Sequence, residues 1–330
     1  MHQTKRRLAG LAAAAGFLGS LILAAAPTPV QAQSWPTRPV RWIIPFGPGA
    51  GADIGARLIQ DRLQKKWGQP VVIDNRPGGD SIIAIQAVLS ANDDHTFLWG
   101  PSGNFTVHPF QYKKLSYDPN DLIPVARYSS TILGVGVPAS MKIKTVAEFV
   151  KLARAAQGKF NSAAVPGITE LAMDYFMHNA KITTQKVPYK DIVQAVNDLA
   201  EGRIQVMMSA IAIVRPRVQA GAIRMIAVTA SERASVAADI PTTTEAGYPD
   251  IRIDGLTGVF GPRDMPAEVR ERIAADVKAA AADPTISARL LSTGQVVNPG
   301  GPAEFGVAID AQRAQVAATG VLLGIKPATN

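Results

Sequence analysis

Residues 40–57 read VRWIIPFGPGAGADIGAR, and this stretch decides the fold. Val40 to Ile44 is rich in β-branched and aromatic residues, which predicts a strand. Pro45 ends it, and Gly47, Gly49 and Gly51 leave a loop with almost no side-chain bulk. Asp53 then precedes a helical pattern of Ile54, Leu58, Ile59 and Leu63, and is expected to cap that helix. A bare loop opening a helix puts several backbone N–H groups at the positive end of a helix dipole. Such a place suits an anion, although a tight turn would read the same way. The three glycines do not spell G-x-G-x-x-G and no Gly-Lys-Ser/Thr follows, so neither a dinucleotide fingerprint nor a Walker loop fits.

Upstream, Lys5, Arg6 and Arg7 lead into an uncharged, Ala-rich stretch that Pro27 and Pro29 break. Val30-Gln31-Ala32 is a small-residue cleavage site before Gln33, so residues 1–32 read as a secretory signal peptide. The apolar stretch approaches the roughly 20 residues of a membrane span, but it is only weakly hydrophobic and the cleavage site follows at once. With no cysteine, the chain has no disulfide framework and no thiolate metal site. The expected location is a bacterial periplasm. The formal net charge is +8, three of its cations lie in the signal, and the remaining excess is spread along the chain. It would draw anionic small molecules, but no basic cluster interleaved with aromatics points to nucleic acid.

Strand-like and helix-like patterns alternate through the mature chain, which predicts an α/β architecture with mainly parallel sheets. Strands are expected at 71–73, 96–99, 133–137, 204–208 and 225–229. Thr145-x-x-Glu148 forms a capping box, Pro266 suits the first position of a helix, and Pro302 opens a last one. The length allows about two domains.

A series of short strings then narrows the reading. They include Trp35-Pro36-x-Arg38-Pro39, Pro45-Phe46-x-Pro48-Gly49-x-Gly51-x-Asp53, Gly68-Gln69-Pro70, Asn75-Arg76-Pro77-Gly78 and Tyr117-Asp118-Pro119. Val187-Pro188-Tyr189-Lys190, Asp239-Ile240-Pro241-Thr242 and Glu245-Ala246-Gly247 continue the series. In this order and spacing the chain resembles the substrate-binding proteins of tripartite tricarboxylate transporters, the Bug or TctC-like family.

The resemblance implies a two-lobed periplasmic binding protein of type II-like, Venus-flytrap form that closes on a small organic carboxylate. Domain I would comprise 33–130 and 254–330, and domain II 131–253, entered near Thr131 and left near Asp254. One carboxylate would meet the loop after the first strand, at Phe46, Gly49, Ala50, Gly51 and Ala52. Ser102 and Asn104 would add polar contacts from the same lobe. Ala164, Val165, Gly167 and Thr169 would meet the ligand from the other lobe, together with Ser209. The expected partners are the subunits of an inner-membrane tripartite permease, with no cofactor, no metal and no nucleic acid, and the protein acting as a monomer.

The chain departs from the family pattern in places. Gly49-Ala50 replaces a Gly-Gly pair, and Pro166-Gly167-Ile168-Thr169-Glu170 replaces a glycine–small–proline–x–histidine run. Pro166 removes one N–H donor. Ser209 stands where relatives often carry an acid, which tilts the ligand away from amino acids and toward simple carboxylates. Phe46, Trp99 and Phe105 read as core or cleft wall. No G-x-S-x-G elbow or H-E-x-x-H motif is present, so the reading is not an enzyme. A sensor presenting the same ligand to a membrane histidine kinase and a secreted hydrolase stand as alternatives.

Overall fold

The stretch that opens the chain's fold is buried where the sequence expects. Val40, Trp42, Ile43 and Ile44 are inaccessible to solvent, because Val40–Ile44 (β1) lies between two parallel neighbours, β2 (Val71–Asn75) and β3 (Thr96–Pro101). The structure is a computed structural model that describes residues 35–165, 167–189, 192–230, 232–233, 237–251, 253 and 255–327. The expected signal at 1–32, and Pro166, Lys190 and Asp254, lie outside the described residues. Everything below concerns the unit 38–330.

The chain begins with β1, α1 (Gly51–Trp67), β2, α2 (Ile82–Ala91) and β3. Two single turns, α3 (Gly103–Thr106) and α4 (His108–Gln111), lead to β4 (Leu122–Thr131). A second group of elements follows with β5 (Leu133–Pro138), α5 (Val146–Ala155), β6 (Asn161–Ala164), α6 (Ile168–Ala180) and β7 (Gln185–Pro188). It continues through α7 (Ile192–Ala200), β8 (Met207–Ala210), α8 (Ile211–Gln219) and β9 (Ile223–Val228). The chain then returns with β10 (Gly255–Pro262), α9 (Ala267–Ala281), α10 (Pro284–Ser292), β11 (Gln295–Gly300) and α11 (Pro302–Leu323).

One sheet runs β11-β4-β10-β3-β1-β2; the other runs β8-β5-β9, with the β6-β7 pair tied to it by a bridge from Ser162 to Val206. Thr131 pairs with Gly255, so the outward and return crossings between the sheets lie side by side. This arrangement corrects the expectation of mainly parallel sheets. β10 is antiparallel to β3 and β4, β11 to β4, and β5 to both β8 and β9. Adjacent strands that carry the chain out of a lobe and back into it must run in opposite directions.

Two smaller expectations also shift. The strand expected at 204–208 forms instead at Met207–Ala210, because the N–H groups of Arg203 and Ile204 are spent on the Asp198 carbonyl that closes α7. Pro266 is the cap of α9 rather than its first residue, and the Arg270 N–H bonds its carbonyl. The Thr145/Glu148 capping box forms as read, and Pro302 opens α11.

What holds α1 on the sheet is an aromatic column. Trp42 stacks on Trp99 at 4.3 Å and Trp99 on Tyr128 at 4.7 Å, each pair contributing about 0.5–1.5 kcal/mol beyond its buried area. Ala56, Ile59 and Leu63 form the apolar stripe of α1 and are buried against that sheet. No helix among the described residues is long and apolar enough to cross a membrane.

Candidate functional site

The loop after β1 and the start of α1 form the first wall. Helix α1 begins three residues earlier than the apolar pattern suggested, so Ala50 is its cap and Asp53 sits in its first turn. This corrects the expected capping role of Asp53. Its carboxylate turns back on the loop and accepts the Gly49 N–H at 2.9 Å, Asn75 Nδ2 at 2.9 Å, and Arg57 Nε and Nη2 at 3.0 Å. Burial by itself would raise the Asp53 pKa, but the hydrogen bonds from Arg57, Gly49 and Asn75 outweigh it and hold the carboxyl below its usual range. Asn75 also donates to the Phe46 carbonyl at 2.9 Å, which fixes both ends of the loop.

This arrangement sorts the loop's donors. The Gly49 N–H is spent on Asp53 and the Ala50 N–H on the Gly47 carbonyl. The N–H groups of Gly51 and Ala52 open the helix and have no acceptor among the described residues. The Gly51 carbonyl accepts from Gln295 Nε2 at 3.0 Å, which ties the loop to β11. Phe46 is 38% exposed, whereas Trp99 and Phe105 are buried core. The one exposed ring beside the loop is therefore Phe46.

Ser102 and Asn104 follow β3. The Ser102 hydroxyl is buried and donates to Gln312 Oε1 on α11 at 2.6 Å, so its proton serves to dock that helix. Asn104 is buried as well, but its Nδ2 has no partner. Its backbone carbonyl accepts the Tyr117 hydroxyl at 2.5 Å. Burial raises the Tyr117 pKa far above the working range and keeps this group a donor.

Farther along the chain, Ala164 ends β6, and the Thr169 hydroxyl reaches the Val165 carbonyl at 3.5 Å. Gly167 caps α6, and its N–H donates to Gln111 Oε1 at 3.1 Å. Ser209 lies on β8 opposite Gly134; it is fully buried and its Oγ has no partner. The turn at 102–104 and the start of α6 come together, since a Cβ on Gly103 would lie 3.8 Å from Ile168. Helix α6 also packs on β8, the strand that carries Ser209.

Sequence reasoning missed the amide side chains that organise these loops: Gln111, Gln295 and Gln312. Asn75 stood only within a short string. Asp80 Oδ2, His108 Nε2 and Tyr117 stand in line, at 3.1 Å and then 2.7 Å from His108 Nδ1, but His108 is sealed from solvent and the Tyr117 proton is held by Asn104. No group of three potential metal ligands occurs among the described residues.

The sequence model of the tripartite tricarboxylate transporter family receptor matches residues 55–302. The chain belongs to this family. A relative from a Pseudomonas species, named as the UPF0065 protein in the tcbD-tcbE intergenic region, is 32% identical over 293 residues, which cover 86% of this chain and 87% of that one. Among solved structures, a protein of R. palustris with adipate is 29% identical with a TM-score of 0.83, over 89% of this chain and 99% of that one. MatC of Rhodopseudomonas palustris with bound malate is 25% identical with a TM-score of 0.77, over 86% of this chain and 99% of that one. This receptor is thus a solute-binding protein of the periplasmic kind, with the two-lobed α/β fold of its relatives. Its family binds solutes and is not a family of enzymes.

Proposed function

We propose that the protein captures a small organic mono- or dicarboxylate between its lobes and delivers it to a tripartite permease in the inner membrane. The lobes divide as 33–130 with 254–330, and 131–253. The observation that carries this reading is a pair of buried, unpartnered polar atoms, Asn104 Nδ2 and Ser209 Oγ, one on each proposed lobe. A buried polar group without a partner costs about 1–3 kcal/mol, and a ligand that supplies one repays it.

The free N–H groups of Gly51 and Ala52 add donors suited to a carboxylate, and Arg57 neutralises the Asp53 carboxylate. Three or four hydrogen bonds to a charged group, at roughly 1.5–3 kcal/mol each, approach the roughly −8 kcal/mol of a micromolar complex after ordering costs. Ala164, Val165, Gly167 and Thr169 close the far side, and Phe46 offers an apolar face for the ligand's body. The adipate and malate carried by the two solved relatives are dicarboxylates of the class this arrangement suits.

Calorimetric titration with adipate, malate and an aromatic monocarboxylate tests the reading. Micromolar binding that weakens about tenfold or more in Asn104→Ala or Ser209→Ala supports it. Binding to none of a broad carboxylate panel overturns it. Loss of uptake on deleting the permease genes separates transport from a sensing role.

A further inference from the structure

The side chain of Gln111 joins the lobes. Its Oε1 accepts the Gly167 N–H at 3.1 Å and its Nε2 donates to the Gly167 carbonyl at 3.3 Å, so one primary amide pairs with both backbone groups of a single residue in the manner of a neighbouring strand. The same Nε2 lies 3.5 Å from Glu170 Oε2. Gly167 has a φ of 113°, a backbone conformation that residues with a Cβ rarely adopt, so this pairing geometry depends on glycine.

Two features make the pairing more than an incidental surface contact. First, Gln111 is presented rigidly. Helix α4 is a single turn, too short to hold its shape alone, and Asp80 pins both of its ends through His108 Nε2 at 3.1 Å and the Tyr112 hydroxyl at 3.2 Å. Second, the pairing is shielded. Val107 and Val316 of the first lobe pack with Leu171 of the second in a buried apolar cluster beside it. Hydrogen bonds bordering such a seam are stronger than those in open water.

We infer that Gln111 is a positioning residue that clasps the lobes shut through Gly167 and thereby sets how long a ligand is held. It acts on the ligand only through the 164–169 loop. The inference rests on the proposed binding function for its consequence, but not for its geometry.

The chain contains no cysteine, so Leu152→Cys and Val321→Cys, on exposed positions of the two lobes, can be spin-labelled cleanly. Electron–electron resonance then reads the interlobe distance without ligand. In Gln111→Met, which keeps the length but not the bonds, the closed-to-open ratio is expected to fall about tenfold, the equivalent of roughly 1.4 kcal/mol. Gln111→Glu removes the donor and sets a second carboxylate beside Glu170, so it should open the lobes at least as far. The melting temperature should stay near that of the parent, a separation that loss of fold would not produce. Adipate dissociation, followed by stopped flow, should quicken by the same factor. Superimposable distance distributions in parent, Gln111→Met and Gln111→Glu overturn the clasp. Failure of adipate to bind the parent counts against the proposed ligand class, while the distance measurement still decides the clasp.

Discussion

Gly55 on α1 lies so close to Tyr128 on β4 that a Cβ at Gly55 would stand 2.7 Å from the Tyr128 ring. Tyr128 cannot retreat, because it is fully buried and stacked on Trp99. Gly55→Ala gains about 1 kcal/mol of helix propensity but incurs an overpacking cost of about 1–3 kcal/mol. A net loss of about 1 kcal/mol is expected in urea unfolding, because α1 must lift from the sheet. Since the same helix carries the free N–H groups of Gly51 and Ala52, ligand affinity should fall with it.

Within the loop itself, Gly49 and Gly51 should behave differently. Gly49 has a φ of 87° and donates its N–H to Asp53, whereas a Cβ at Gly51 would meet nothing closer than Gln295 Nε2 at 3.7 Å. Gly49→Val forces a branched residue into left-handed backbone, a cost of order 1–3 kcal/mol. Calorimetry with adipate or malate should show binding lost in Gly49→Val and largely kept in Gly51→Ala. Equal binding by both variants would take the loop out of the site.

The Asp53 carboxylate gives the loop an acid sensitivity whose sign is fixed. Its folded pKa lies below the unfolded value of about 3.9, so its contribution to stability is complete above that value. As pH falls further, the unfolded chain takes up the proton first, and the contribution is lost on the way down through the folded pKa. Acid unfolding of the parent should therefore be steeper below about pH 4 than that of Asp53→Asn. At neutral pH the variant should be less stable by about 1–2 kcal/mol, with Arg57 left without its carboxylate.

Local chemistry explains which parts of this could be read in advance. β1, the Thr145/Glu148 box and Pro302 announce themselves within a few residues. β10, GLTGVFGP, and β4, LIPVARYSST, carry glycine, proline and serine that argue against strands locally. They are strands because each is paired on both sides in the six-stranded sheet. The antiparallel hinge pair therefore went unread. The apolar pattern places the cap at Asp53 because Gly51 disfavours a helix and neither it nor Ala52 adds a large apolar residue to the stripe that marks one. The site suffers most from distance along the chain: the partner of Ser102 is 210 residues away in Gln312, and no pattern near either residue announces the contact.

Ser209 should show stability and binding pulling apart. Its hydroxyl is fully buried on β8 with no partner, and it carries the desolvation cost of a polar group that its surroundings do not repay. Ser209→Ala deletes that group while keeping the strand's pairing with Gly134. The variant should therefore be more stable than the parent, by up to about 1 kcal/mol in urea unfolding. If the hydroxyl is kept for a ligand, the same substitution should weaken adipate or malate binding by about tenfold or more, since one hydrogen bond to a charged group contributes roughly 1.5–3 kcal/mol. A Ser102→Ala control should behave in the opposite sense, losing stability because Gln312 loses a donor while ligand affinity changes little. A stabilised Ser209→Ala that binds as tightly as the parent would leave the buried hydroxyl a packing defect and remove it from the site.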